Sequence, residues 1–119
     1  MTKSLFERLG AEENIIKISN DLVDLHMVNP LFKARFKDSD AVAVKKSVAD
    51  FFITGAGGPE VYKGKDMISA HKSMNISDNE FMAAVDDVMQ ALDQNGIGDQ
   101  EKSDVLYIFY CLRPQVVGV

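Results

Sequence analysis

The 119-residue chain has two histidines, and one of them, His71, ends a segment of unusual composition. That segment, Tyr62-Lys63-Gly64-Lys65-Asp66-Met67-Ile68-Ser69-Ala70-His71, is rich in glycine and lysine. It follows an apolar stretch containing Phe51 and Phe52, which Gly57-Gly58-Pro59 closes. A neutral imidazole that is the only good nitrogen donor in apolar surroundings suits an axial position on haem iron. On that reading the chemistry is iron chemistry, and the neighbouring residues set what the iron can bind. A core or surface histidine is the plain alternative, and His71 alone does not separate the two.

Other chemistries lack their residues. The chain has no phosphate loop, no Ser-His-Asp set with plausible spacing and no zinc pattern. The adjacent pairs Glu12-Glu13 and Asp86-Asp87 diverge on a helix, so they read as solvated faces and not as a catalytic dyad. The six methionines, at helical spacing, read as packing. A C-x-x-C-H attachment motif is absent, so haem would be held without thioether bonds. The one cysteine, Cys111, has no internal disulfide partner. Within the apolar run Tyr107-Ile108-Phe109-Tyr110-Cys111-Leu112 it reads as a buried core thiol. Tyr107 and Tyr110 read as partly buried with wet hydroxyls.

Composition narrows the class. Apolar residues make up 46% of the chain and the net charge is −5 with no basic stripe, which makes nucleic acid a poor partner. No apolar run approaches the roughly 20 residues needed to span a bilayer. The first residues carry charges at Lys3, Glu7 and Arg8 where a signal peptide needs apolar side chains. A cytoplasmic protein with a single domain over 1–119 is the expectation.

These residues must be positioned by helices, because the periodicity is helical almost throughout. Ser4 and Glu7 have capping-box spacing for a first helix that stops near Gly10. A second, from Glu12 to Val28, carries Ile15, Ile18, Leu22 and Leu25 as a buried stripe and ends at Asn29-Pro30. A turn through Leu31, Phe32 and Phe36 leads to Asp38-Ser39-Asp40, which caps a third helix over Ala41 to Gly55. A loop and a short helix ending in His71 follow. Ser77 and Glu80 form a second capping box for a helix with Phe81, Val85, Val88, Met89 and Leu92 on one face, closed by Asn95-Gly96. Asp99 opens the last helix, with Val105, Leu106, Ile108, Phe109 and Leu112 inside. The chain therefore reads as all-α, with five or six helices and no sheet.

The order of these motifs resembles a group I truncated haemoglobin over nearly the whole chain. Leu5-Phe6-Glu7-Arg8-Leu9-Gly10 is similar to the family's opening signature, with Ala11 in place of its second glycine. Phe51-Phe52 through Gly57-Gly58 resembles its Phe-(Leu/Phe)…Gly-Gly motif. Tyr62, Gly64, Lys65, Met67, Ala70 and His71 match every fixed position of its Tyr-x-Gly-(Arg/Lys)-x-Met-x-x-Ala-His motif.

The resemblance implies a two-over-two helical sandwich with non-covalent haem b and His71 as the proximal iron ligand. It places Phe36 against the haem face, Tyr62 near the haem edge and Lys65 near a propionate. Phe51 becomes a distal aromatic, and Met67 and Met74 become proximal apolar contacts. Lys45, Lys46 and Lys63 are further candidates for the propionates.

The departures are equally specific. Where the family has a tyrosine that donates to bound oxygen, this chain has Val23, preceded by Leu22. Polar positions early in the third helix are Val44, Ser47 and Val48, so the distal wall reads as apolar with Ser47 its only polar member. His26 lies at the border of the buried stripe; it could serve as a second axial ligand, but the resemblance points it away from that wall. The iron should then be open to O₂, NO or CO, with weak stabilisation of O₂. The leading expectation is a gas-binding haem protein, a monomer or weak homodimer, with a reductase as a candidate partner. The alternatives are an NO dioxygenase or peroxidase-like enzyme, and a haem or gas sensor acting through a partner.

Overall fold

The computed structural model describes residues 3–31 and 33–119, so Phe32 of the expected turn lies outside the described residues. Among the described residues six helices form where capping and periodicity place them: α1 (Leu5–Arg8), α2 (Ala11–Val28), α3 (Ala41–Gly55), α4 (Met67–His71), α5 (Asp78–Gln94) and α6 (Asp99–Leu112). Short 3-10 turns cover Lys33–Phe36 and Arg113–Gln115. Both capping boxes are present. Ser4 accepts from the Glu7 amide, and Ser77 accepts from the Glu80 amide. The Asp40 side chain accepts from the Val42 and Ala43 amides at the start of α3.

Packing follows the apolar stripes. α2 lies against both α3 and α5, and α6 packs on α5 and α1. Ile15, Ile18 and Leu22 of α2 meet Phe52 and Ile53 of α3 and Val88 and Leu92 of α5 in one core. Each such aliphatic side chain contributes roughly 1.5–3 kcal/mol by leaving water. Among the described residues there is no sheet, only an isolated bridge between Ile76 and Val117.

Two sequence motifs meet in space. The Phe6 amide donates to the Ala56 carbonyl at 2.8 Å, which docks α1 on the end of α3. A Cβ on Gly58 would stand 2.5 Å from the Phe6 ring and 2.9 Å from the Ile53 carbonyl oxygen. The opening signature and the double glycine therefore form one joint, since only glycine lets the phenyl ring approach the turn.

The last helix corrects two expectations, the buried thiol and the partly buried tyrosines. Cys111 is exposed, and Tyr107 and Tyr110 are 71% and 51% exposed. A continuous run of six apolar residues wraps all round a helix, so it cannot be buried as a block. Val105, Phe109 and Leu112 take the inner stripe, leaving 107, 110 and 111 together on the outer one.

Ala11 has φ +60°, in the left-handed region where a side chain is strained. A left-handed residue with a Cβ costs roughly 1–2 kcal/mol, whereas glycine loses about 0.4–1 kcal/mol more backbone entropy on folding. Ala11→Gly should therefore raise stability by about 0.5 kcal/mol. Denaturant melts of the two proteins check this, and a lower midpoint for Ala11→Gly would contradict the strain assigned to this position.

Candidate functional site

His71 closes α4, a helix of five residues too short to hold itself together. Its Nδ1 stands 2.8 Å from the Met67 carbonyl oxygen. A carbonyl can only accept, so Nδ1 carries the proton and the lone pair falls on Nε2. That fixes both ring orientation and tautomer, as a metal-binding imidazole requires.

The segment before α4 is held by groups whose roles were not visible in the sequence. Thr54 Oγ1 accepts from the Val61 and Tyr62 amides at 3.1 and 3.0 Å. This ties the loop after the double glycine back onto α3. The Tyr62 hydroxyl donates to the Lys65 carbonyl at 2.7 Å, and its ring meets Phe51 edge-on at 5.3 Å. A Cβ on Gly64 would lie 2.5 Å from the Tyr62 hydroxyl, so the Tyr-x-Gly spacing exists to let the ring fold back over the chain.

These elements enclose a cavity of about 340 Å³ with His71 on its wall. Phe36, Ser47, Val48, Phe51, Tyr62 and Met67, all expected there from the sequence, line it. Leu22, Phe81, Val85, Val88 and Val116 also line it, so the inward stripe of α5 serves as cavity floor. An adjoining cavity of about 310 Å³ shares the wall of His26, Phe36, His71, Phe81, Ala84 and Val116, and reaches Met74.

Three expected site residues are not brought to either cavity. Val23 is 1% exposed but lines neither, whereas Leu22 beside it, 4% exposed, does. Val44 is half-buried one turn before Val48 and lines neither. Lys65 is exposed and contributes its carbonyl to Tyr62. The Lys45 and Lys46 ammonium groups pair with Asp24 and Asp50 at 2.9 and 2.8 Å, along a separate cavity between α2 and α3.

His26 reverses its expectation. It lines both cavities, with its ring stacked on Phe36 at 6.2 Å between centroids. Its Nδ1 is 2.8 Å from Asp87 Oδ2, and the Asn29 amide donates to the same oxygen at 3.2 Å. Asp87, read from the sequence as solvated, is only 8% exposed. Adjacent residues on a helix do diverge, and here Asp86 takes the outer face while Asp87 turns to α2. At the mouth of the adjoining cavity Arg35 grips Glu80 with Nε–Oε2 2.7 Å and Nη2–Oε1 3.1 Å, and also donates to the Met74 carbonyl. Arg35 holds the Glu80 carboxyl below its ordinary range through that bidentate contact.

The donor set tests what can fill the cavity. No charged side chain lines the larger cavity, whose polar members are His26, Ser47, Tyr62 and His71. Among the described residues no three of His, Cys, Asp and Glu come together, so a bare metal ion has no ligand set. A single oriented imidazole suits a metal whose other donors arrive with an apolar ring, and phenyl and aliphatic walls suit that ring.

Burial pushes the His26 imidazole below its ordinary 6.5, and the Asp87 contact opposes this without cancelling it. The folded state therefore binds this proton less readily than the unfolded state. The associated stability is present above pH 6.5 and is lost as pH falls through the lower folded value. Thermal melts of haem-free protein between pH 7.5 and 5 should show the wild type losing midpoint more steeply than His26→Leu. Equal slopes would remove His26 as the cause.

Comparison with known proteins identifies the family and the fold. Residues 4–117 match the family model for bacterial-like globins. A group 1 truncated haemoglobin of Tetrahymena thermophila is 31% identical over 125 residues, covering 97% of this chain and 95% of the relative. One from Tetrahymena pyriformis is 29% identical, covering 98% and 96%. The crystal structure of truncated haemoglobin from Tetrahymena pyriformis in its Fe(III) form superposes with a TM-score of 0.94, at 26% identity, covering 98% of this chain and 100% of that one. The all-α arrangement is thus the two-over-two globin sandwich, and the chain belongs to the bacterial-like globin family, among the group 1 truncated haemoglobins.

Proposed function

We propose that the chain reversibly binds a diatomic gas, with His71 Nε2 as the proximal iron ligand and the face beneath Leu22, Val48 and Phe51 left open. The cofactor is haem b, which when bound supplies an iron able to take up O₂, NO or CO at a free coordination position. The observation that carries this reading is the His71 imidazole, oriented by the Met67 carbonyl at 2.8 Å on the wall of an apolar cavity.

The rest of the lining decides which gas is favoured. Phe36, Phe51, Tyr62 and Met67 would pack against the ring, and the Tyr62 hydroxyl is already committed to the Lys65 carbonyl. His26 spends its Nδ1 proton on Asp87. Ser47 is left as the one hydroxyl able to donate into the cavity from α3, and it is exposed. A hydrogen bond to a ligand that gains negative charge is worth about 1.5–3 kcal/mol. A wall without one should hold O₂ on the order of tenfold to a hundredfold more weakly, with CO and NO little affected.

Gas binding accounts for the apolar wall better than steady catalysis does. NO dioxygenation needs O₂ retained long enough to meet NO, and turnover also needs a reductase. A sensor role would require a partner to carry the signal. The fold reads as a single domain in which one small cavity does the binding.

Haem titration read by absorbance tests the assignment. The dithionite-reduced protein should be five-coordinate and convert cleanly to a histidine–CO form, and His71→Ala should lose that spectrum. O₂ release should be at least about tenfold faster than from a relative with a tyrosine donor. A spectrum unchanged in His71→Ala would overturn the ligand assignment, and slow O₂ release would overturn the apolar-wall reading.

A further inference from the structure

Gas binding leaves one built feature unused. His26 is half-buried on the wall shared by the two cavities, and a carboxylate from another helix holds its Nδ1. No diatomic gas needs such an arrangement.

The hydrogen bonds settle which nitrogen carries the proton. Asn29 Oδ1 accepts from the Leu31 amide at 3.1 Å, so its NH₂ group is the end that faces Asp87. Asp87 Oδ2 is therefore already an acceptor, and a carboxylate oxygen that accepts from Asn29 accepts from His26 Nδ1–H as well. The lone pair lies on Nε2. An imidazole in this state is a base with its conjugate acid prepaired to a carboxylate.

We propose that His26 is a proton acceptor for weakly acidic ligands, of the class HX that includes hydrogen cyanide and hydrogen sulfide, when they bind ferric iron in this cavity. The X–H bond breaks, its proton passes to His26 Nε2, and the X electron pair goes to the iron. No atom changes oxidation state, and the imidazolium formed is paired with Asp87. Asp87 is the positioning residue, fixing the tautomer and favouring the charged product. The other titratable groups on the cavity walls are His71 on α4, Tyr62 with its hydroxyl on the Lys65 carbonyl and, at the mouth of the adjoining cavity, Glu80 on α5 paired with Arg35. The adjoining cavity gives the accepted proton a way back to solvent, past that ion pair.

This inference rests on the haem reading above, and the two fail separately. The probe is cyanide at pH 7, where it is present as the acid, mixed with ferric protein. CO mixed with ferrous protein is the control, because CO carries no proton. His26→Phe should slow cyanide association about tenfold to a hundredfold, the usual range for losing a general base. His26→Gln, which can still donate to Asp87 but is not a base, should be equally slow. Asp87→Asn should fall between these and the wild type. CO association should stay within about twofold in all variants, since it needs no proton transfer.

A second readout needs no cofactor. Nitrogen-15 spectra of haem-free protein should show His26 protonated at Nδ1, with that preference lost in Asp87→Asn. Cyanide rates unchanged in His26→Gln, an Nε2–H tautomer, or a ferric bis-imidazole spectrum abolished by His26→Phe would each overturn the proposal. Failure to bind CO in the wild type would instead overturn the haem reading.

Discussion

Keeping a cavity of about 340 Å³ open among phenyl, valyl and leucyl side chains is the constraint on which this fold depends. Unfilled apolar volume costs about 24 cal/mol per Å³, so this half-open cavity costs some part of the roughly 8 kcal/mol that a sealed void of its size would cost. That is comparable to the whole stability of a small domain. A group that fills the space is therefore linked to folding itself, since anything that binds the native state alone stabilises it by mass action. The cavity residues come from α2, α3, α4, α5, α6 and the chain end, so nearly every element has its inner face assigned to this one space. The apolar surface outside this space forms a core around Ile15, Ile18, Ile53 and Leu92, which the segment carrying α4 does not join.

That separation explains the polar struts. α4 is too short to persist alone, and the chain around it is fixed by Thr54, by Tyr62 on the Lys65 carbonyl, and by Arg35 on the Met74 carbonyl. The C-terminal tail adds to this, with the Gly118 amide on the Ile76 carbonyl and Val116 buried against Phe81 and Val85. None of these contacts is strong singly. Together they hold the histidine-bearing segment where apolar packing cannot, because that side of the segment faces the cavity.

The sequence made legible what depends on local spacing. Ser4 with Glu7 and Ser77 with Glu80 identify helix starts because the capping partners lie three residues apart. The Tyr62-x-Gly64 pair with His71 identifies the site segment for the same reason. What could not be read depends on partners distant in sequence. Asp87 meets His26 across 61 residues, so its charge reads as solvated until α5 is laid on α2. The expectation for His26 failed for the same reason. Val23 and Leu22 differ by one position, 100° on a helix, and only packing against both α3 and α5 decides which of them reaches the cavity. Cys111 fell on the outer face because an apolar run longer than one stripe must expose part of itself.

The two histidines show how one cavity can hold one kind of ring in two chemical states. Each gives its Nδ1 proton to an oxygen, so each turns an Nε2 lone pair away from that partner. The partners differ in charge. His71 donates to a backbone carbonyl, which orients the ring but adds no net charge, so its lone pair is suited to a metal. His26 donates to a buried carboxylate that also holds Asn29, so a proton arriving at its Nε2 meets a counter-charge already in place. With the Nδ1 proton committed to Asp87, the Nε2 lone pair has no proton to donate to bound O₂. The same arrangement that withholds a hydrogen bond from oxygen therefore offers a proton acceptor to an acid. The cavity is apolar toward gases and basic toward protic ligands, and both properties follow from where the Asp87 carboxylate sits.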